Sequence, residues 1–221
     1  MSTEFVNADF RRRVVVATDE LPWLPSPQPG VERRLLDRIG GEVARATSLV
    51  RYARGSTFSA HNHALGEEFL VLDGVFSDEH GDYPAGTYVR NPPGSHHAPR
   101  TAQGCTIFVK LRQMRPEETC KVVVDTNEVE FEPAVPVGVS QHVLFNAPGS
   151  EIVVIERLAP LTILPSEDLS GEEILLLKGD LVDEHGTYAK GTWIRNPAAF
   201  RRTLSTRSGA TYWVKRGHLQ P

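Results

Sequence analysis

Cysteine is scarce in this chain, with two residues among 221. Cys105 and Cys120 are too few for a disulfide framework, and because they do not form a C-x-x-C pair they exclude a zinc knuckle. Cys105 begins an apolar segment that extends to Val109. Apolar surroundings disfavour the thiolate, so we expect Cys105 to be a buried and unreactive thiol.

Long apolar runs and an excess of positive charge are absent as well. The chain has neither a membrane-length apolar run nor the apolar core of a signal peptide, which predicts a cytoplasmic protein without membrane contact. Its formal charge of −4 provides no basic surface, and this argues against direct nucleic-acid binding. The hydrophobic content of 40% is sufficient for a substantial core.

The segments that remain predict an all-β fold. They are short and rich in β-branched and aromatic residues, and turns containing Gly, Pro and Asp separate them. The 18 glycines and 16 prolines are typical of a chain with many tight turns. The predicted strands are residues 14–17, 46–52, 68–72, 87–90, 106–111, 122–124, 152–155, 174–177, 192–194 and 211–214.

An internal repeat relates the two halves of the chain. Residues 66–92 return as residues 171–197, and 16 of these 27 positions are identical. The valine triplet at 14–16 likewise returns at 122–124. Self-similarity of this kind indicates a tandem duplication, and it predicts two domains, residues 1–117 and residues 118–221.

The first copy contains two histidines and a carboxylate within seven residues. His61 and His63 project to the same side of an extended strand, because strand side chains alternate between its faces. Glu67 would lie about 20 Å from His61 on a straight strand, so the chain must turn between them. Gly66 permits the positive φ of a tight turn. These residues predict part of a metal site that needs a fourth ligand.

A second segment offers that ligand. A Pro-Pro-Gly corner precedes His96 and His97, and only one of two neighbouring strand residues can point inward. Both segments match the two motifs of the cupin superfamily, so the chain resembles a cupin. The resemblance implies a double-stranded β-helix, or jelly-roll barrel, in each copy, and it selects His97 as the ligand. The matching positions are Gly55, His61, His63, Glu67 and Gly74 in G-x5-H-x-H-x3-E-x6-G, and Gly86, Pro92, Gly94 and His97 in G-x5-P-x-G-x2-H.

The second copy keeps the residues of the fold but loses most of the ligands. An arginine side chain stays protonated and has no lone pair for a metal. We therefore expect a metal-free second site in which Arg202 pairs with Glu172 or Asp168. Since both copies keep the Asp-Glu-His triplet at 78–80 and 183–185, we interpret it as turn chemistry. The degenerate positions are Ser166, Asp168, Glu172 and Arg202.

Residues 55–111 are most similar to the cupin domain of the ChrR family, the zinc-binding anti-sigma factors of the bacterial singlet-oxygen response. The resemblance implies one zinc ion at the residues that match His61, His63, Glu67 and His97. It also implies a transcriptional role with an extracytoplasmic-function sigma factor as partner. In that family a helical domain with a C-x-x-C holds the sigma factor, and we expect this chain to lack that domain.

Two functions remain open for the site. A zinc ion held tetrahedrally by four protein ligands has no position left for water, so its role would be structural or regulatory. Iron, manganese or nickel in octahedral geometry would keep two positions open, as a dioxygenase-type enzyme requires. No catalytic acid or base is identifiable, because His96 faces away from the ligands.

Two further expectations concern partners. Phe58, Leu70, Tyr88 and Phe108 predict an apolar barrel interior that holds a small molecule of unknown identity. A bicupin resembles a dimer fused into one chain, and the pairing of sheet edges predicts further association as a homodimer.

Overall fold

The computed structural model describes residues 4–41, 43–165 and 170–219, and strands make up more than half of them. All ten predicted strands are present, because β-branched and aromatic residues fit a pleated and half-buried surface. Within the described ranges the only helical element is one 3₁₀ turn, η1, at Thr18–Glu20. None of the described segments forms a helix with the length and apolarity to cross a membrane.

Among the described residues, twelve strands precede residue 126. They are β1 (Phe5–Val6), β2 (Val14–Ala17), β3 (Leu24–Pro25), β4 (Val31–Ile39), β5 (Arg45–Tyr52), β6 (His61–Asn62), β7 (Glu67–Asp78), β8 (Gly81–Pro84), β9 (Thr87–Asn91), β10 (His96–His97), β11 (Cys105–Leu111) and β12 (Val122–Asp125).

Nine strands follow. They are β13 (Glu132–Ala134), β14 (Val139–Ala147), β15 (Glu151–Leu158), β16 (Ile163–Pro165), β17 (Glu172–Asp183), β18 (Gly186–Ala189), β19 (Thr192–Asn196), β20 (Thr203–Ser205) and β21 (Ala210–Arg216).

The chain forms two compact units that exchange one strand. Unit 1 comprises Met1–Ala8 and Pro22–Glu128, and unit 2 comprises Asp9–Leu21 and Val129–Pro221. Strand β2 of the first repeat pairs with β19 in unit 2, and β12 of the second repeat pairs with β9 in unit 1. The compact units therefore differ from the predicted ranges 1–117 and 118–221. The physical reason is that both repeats carry the same valine strand, so each can complete the sheet of the other, as in domain swapping.

Unit 1 is an antiparallel barrel with strand order β1-β4-β5-β11-β7-β9-β12. Cross-strand neighbours share a face of the sheet. Phe69 is opposite both Val89 and Val109, and these three belong to one buried cluster. The full cluster comprises Val31, Val50, Phe69, Val71, Phe76, Tyr83, Val89, Cys105, Ile107 and Val109.

The expected lining of this interior needs a correction. Phe58 packs against the cluster, as predicted. Leu70, however, is opposite Tyr88 and Phe108, so these three side chains share the other face of the sheet. All three are buried there. The sequence pattern identified them as buried, but it did not indicate which of the two faces of a doubly buried strand turns inward.

Unit 2 repeats the same arrangement. Its strand order is β13-β14-β15-β21-β17-β19-β2. The smaller strands β18 and β20 pair with β17, and β16 pairs with β20. The register of β17 against β21 shifts between Leu176 and Lys178, near the position equivalent to the shift of β7 against β11. The buried cluster comprises Val139, Val154, Leu158, Ile174, Leu176, Leu181, Tyr188, Ile194, Leu204, Ala210, Tyr212 and Val214.

Candidate metal centre

A short antiparallel ribbon of β6 and β10 brings the histidines of unit 1 together. His97 lies opposite His61, and the N–H of His63 donates to the carbonyl of Ser95 at 2.9 Å. His96 is exposed, whereas His97 and His63 are buried. The alternation of the strand therefore turns His97 inward and His96 outward, as predicted.

The turn at Gly66 places Glu67 beside these histidines. Gly66 has a φ of +72°, and its N–H donates to the carbonyl of His63 at 3.2 Å. A Cβ at this position would overlap the side chain of Met114. Positive φ and the close approach of Met114 both require glycine here. The predicted turn is confirmed.

The four predicted ligands converge on one point in unit 1. One ring nitrogen each of His61, His63 and His97 lies within 4.8 Å of the others. Glu67 Oε2 is 3.6 Å from His63 Nε2 and 3.5 Å from His97 Nε2. The Nδ2 of Asn91 donates to Glu67 Oε2 at 3.3 Å and fixes the carboxylate.

The buried donor atoms of this cluster suit a divalent metal. His63 Nε2 and His97 Nε2 have no hydrogen-bond partner within the described part of the chain. Burial, reinforced by His61, lowers the pKa of His63 to about 4, and burial also lowers the pKa of His97. Burial raises the pKa of Glu67, while His97 and His61 oppose that rise. Neutral imidazole nitrogens with a carboxylate oxygen are the donor set of zinc and other first-row metals.

Asp78 adds a contact that the sequence comparison missed. Its Oδ1 accepts from the N–H of His80 at 2.8 Å, so the predicted turn role is correct. Its Oδ2 lies 3.3 Å from His97 Nδ1. A carboxylate at one ring nitrogen fixes the tautomer and orientation that present the other nitrogen to a metal. Because the second repeat keeps the equivalent aspartate for its turn, the comparison of copies gave no signal of this second role.

A cavity of about 530 Å³ lies against the site. Its wall includes His61, His63 and Glu67 together with the rings of Tyr52 and Phe58. These two rings meet edge to face, with centroids 5.1 Å apart. Burial raises the pKa of Tyr52, so this side chain remains a neutral phenol. The arrangement admits a small molecule next to the imidazoles.

Unit 2 replaces the cluster by an ion pair, as predicted. Arg202 is buried, and its Nε donates to Glu172 Oε1 at 2.6 Å. Asn196 Nδ2 also donates to Glu172 Oε1, at 2.9 Å. The guanidinium occupies the position equivalent to His97 and neutralises the retained carboxylate. The remaining degenerate positions, Ser166 and Asp168, lie outside the described residues.

Cys105 is part of the core and not of the site. It is 3% exposed and belongs to the buried cluster of unit 1. Burial raises the pKa of its thiol to about 11, although a hydrogen bond with Thr101 opposes the shift. The expected burial of Cys105 is confirmed, whereas Cys120 is exposed.

Two tandem barrels, the first of which gathers three histidines and a glutamate, define a bicupin. The family described as the ChrR cupin-like domain matches residues 11–115 and 119–220. The chain therefore belongs to that family. No match was found among curated proteins.

Solved structures show the same fold at low sequence identity. A proposed dioxygenase from Nostoc punctiforme PCC 73102 superposes with a TM-score of 0.78 at 14% identity, over 96% of this chain and 85% of that one. The pirin YhhW of Escherichia coli in complex with nickel(II) gives a TM-score of 0.69 at 10% identity, over 93% and 98%. A salicylate 1,2-dioxygenase from Pseudaminobacter salicylatoxidans gives 0.63 at 11% identity, over 96% and 85%.

Proposed function

We propose that unit 1 binds one divalent metal ion through His61, His63, Glu67 and His97, and that the protein is a zinc-binding regulator or sensor of the ChrR type. The observation that carries the proposal is the convergence of three imidazoles within 4.8 Å. Two of them present buried nitrogens for which the described residues offer no hydrogen-bond partner. An orphaned buried nitrogen costs stability unless a ligand satisfies it.

Zinc is the metal that this donor set favours for a regulatory role. Four protein ligands complete a tetrahedral zinc site, and the ion then stabilises the fold that holds it. Arg202 supplies a fixed cation in unit 2, so the stoichiometry is one ion per chain. Membership of the ChrR cupin-like family supports a place in a transcriptional stress response. The partner would be an extracytoplasmic-function sigma factor in the cytoplasm.

The cavity beside the site favours a second candidate function. Its volume of about 530 Å³ is large enough for a small organic molecule next to the ligands. Two of the similar structures are described as dioxygenases, one of them as a proposed dioxygenase. Bound iron, manganese or nickel would supply Lewis-acid or redox chemistry at this point. Tyr52 and Phe58 would position the apolar part of the substrate and exclude water.

Elemental analysis of protein purified without added metal or chelator separates the two candidates. One zinc per chain supports the regulatory function. One iron, manganese or nickel per chain supports the enzyme and directs the next experiment to dioxygen uptake. Two metal ions per chain would contradict the assignment of a single site.

The ligand assignment has a matched control in the neighbouring histidine. His97→Ala removes an inward imidazole and should abolish retention of metal, and His61→Ala should do the same. His96→Ala changes an exposed side chain one residue away and should leave the metal content unchanged. Full metal retention by His97→Ala would overturn the site.

The proposed partners require separate measurements. Metal-dependent co-purification with a sigma factor supports the regulatory function. Failure to co-purify with any sigma factor of the source genome opposes it. Sedimentation at several concentrations tests the expected homodimer, which requires twice the mass of the chain.

A further inference from the structure

The cavity beside the metal centre of unit 1 has an arginine in its inner wall. Arg33 of β4 lies opposite Val50 of β5, and Val50 belongs to the buried cluster inside the barrel. Because cross-strand neighbours share a face of the sheet, Arg33 projects toward the interior. It lines the cavity of about 530 Å³ together with Val31, Val50, Tyr52 and Phe58. The wall beside the metal centre therefore carries a permanent positive charge.

The guanidinium of Arg33 has no carboxylate partner among residues 4–41, 43–165 and 170–219, and its buried Nε has no acceptor there. Arg33 also borders a second cavity, of about 590 Å³, whose wall includes Arg38. Burial, together with the charge of Arg33, lowers the pKa of Arg38. The direction of this shift agrees with a positive charge at Arg33 that no described neighbour compensates.

Positive charge predominates in the cavity beside the metal centre. Arg112 is a second cation in its wall, and Glu67 is the one carboxylate there among the described residues. The two guanidiniums and the divalent ion of the proposed function carry four positive charges. An excess of two remains even after Glu67 is counted together with Glu42, which lies outside the described residues. A cavity lined by one sign of charge attracts a ligand of the opposite sign.

We infer that the cavity of unit 1 binds a small organic acid, whose carboxylate pairs with Arg33 while its apolar body packs against Tyr52 and Phe58. The inference rests on the proposed function, because it assigns a class of ligand to the same site. A planar guanidinium matches a carboxylate through two parallel hydrogen bonds. The edge-to-face pair of Tyr52 and Phe58 offers apolar surface, which favours an organic acid over a strongly hydrated inorganic anion.

Benzoate and benzamide are suitable probes, because they share a ring and a similar shape and differ in charge. We expect benzoate to bind the zinc-loaded, full-length protein in about the millimolar range, measured by ligand-observed NMR, and about tenfold more tightly than benzamide. The preference for benzoate should persist in the metal-free protein, because Arg33 remains. A preference that vanishes with the zinc would mean that the carboxylate binds only the metal, and it would overturn the inference. Failure of both probes to bind would overturn it as well.

Variants locate the two ends of the ligand. Arg33→Gln should weaken benzoate binding about tenfold and leave benzamide binding unchanged, and Arg33→Lys should retain more of the benzoate affinity than Arg33→Gln. Arg34→Gln is the matched control, because Arg34 projects to the opposite face of β4, over the ring of Trp23. It should affect neither probe. Phe58→Ala should weaken both probes severalfold, since Phe58 lines the cavity beside the metal centre and not the cavity that contains Arg38.

The zinc content of each sample distinguishes this inference from the proposed function. Zinc retention by Arg33→Gln with undiminished benzoate affinity would refute the inference alone. Benzoate binding that Phe58→Ala leaves unchanged would also refute it, because the ligand would then lie elsewhere. Absence of zinc from the wild-type protein would contradict the proposed function, and the comparison of Arg33→Gln with the wild type in metal-free form would still decide the role of Arg33.

Discussion

Asp78→Asn tests whether the carboxylate beside His97 supports the proposed metal site. The substitution preserves the size of the side chain and the acceptor that receives the N–H of His80. It removes the negative charge 3.3 Å from His97 Nδ1. We therefore expect the variant to fold and to bind zinc more weakly, because His97 loses the group that fixes its ring and raises its basicity.

The magnitude follows from the type of contact. The amide NH2 that replaces Oδ2 is a donor and cannot accept from the N–H of His97 Nδ1, so the contact is lost and not only weakened. A hydrogen bond to a charged group contributes roughly 1.5–3 kcal/mol. Its loss corresponds to a decrease of about tenfold to a hundredfold in zinc affinity. Measured losses for such outer contacts of metal ligands are about tenfold to a hundredfold.

The internal duplication supplies the control. Asp183 is the equivalent residue of unit 2, and it accepts from the N–H of His185 at 2.7 Å and from Tyr188 Oη at 2.6 Å. Its Oδ2 contacts Arg13, whereas the Oδ2 of Asp78 contacts His97. Asp183→Asn should lower the stability of unit 2 without changing zinc affinity. Titration against a chromophoric chelator measures both variants, and equal affinities for the two would refute the role of Asp78.

Three further predictions concern unit 1. Gly66→Ala should lower the free energy of unfolding by roughly 1–3 kcal/mol, because alanine is strained at positive φ and its Cβ overlaps Met114. A denaturant titration measures this change, and an unchanged midpoint would contradict it. A thiol reagent should modify Cys120 in the native protein and Cys105 only after unfolding, since Cys105 is 3% exposed; equal rates would disprove the burial. Burial raises the pKa of Cys105 from 9.0 to about 11, so the unfolded state ionises first and stability should fall between pH 9 and pH 11. A Cys105→Ala variant should lose this part of the pH dependence, and a slope as steep as that of the wild type would refute the cause.

Local sequence patterns were sufficient for the strands and for most of the candidate site. Alternation in an extended chain predicts His61 and His63 on one face, and alternation along β10 separates His96 from His97. The prediction of the turn depended on Gly66 alone, because glycine adopts a positive φ at no steric cost. The replacement of a histidine by Arg202 was enough to predict the ion pair with Glu172.

Other features depend on contacts between distant residues. Leu70 and Phe69 are both apolar and both buried, so their pattern carries no information about which face of β7 turns inward. The exchange of β2 and β12 has no local signal either, because the two valine strands are nearly identical. Asp78 reaches His97 across 19 residues, and its conventional role in a turn concealed this contact.

The sequence by itself determined the all-β class, the duplication, the four candidate ligands and the different residues at the equivalent positions of the second repeat, because each depends on residue type and short spacing. Only the tertiary structure decided which strands complete each barrel, which buried face is interior, and that Asp78 meets His97. It also decided that the ion pair of Arg202 and Glu172 borders a cavity, because the wall combines residues of β13, β14, β15, β16, β17 and β21, which are distant in sequence.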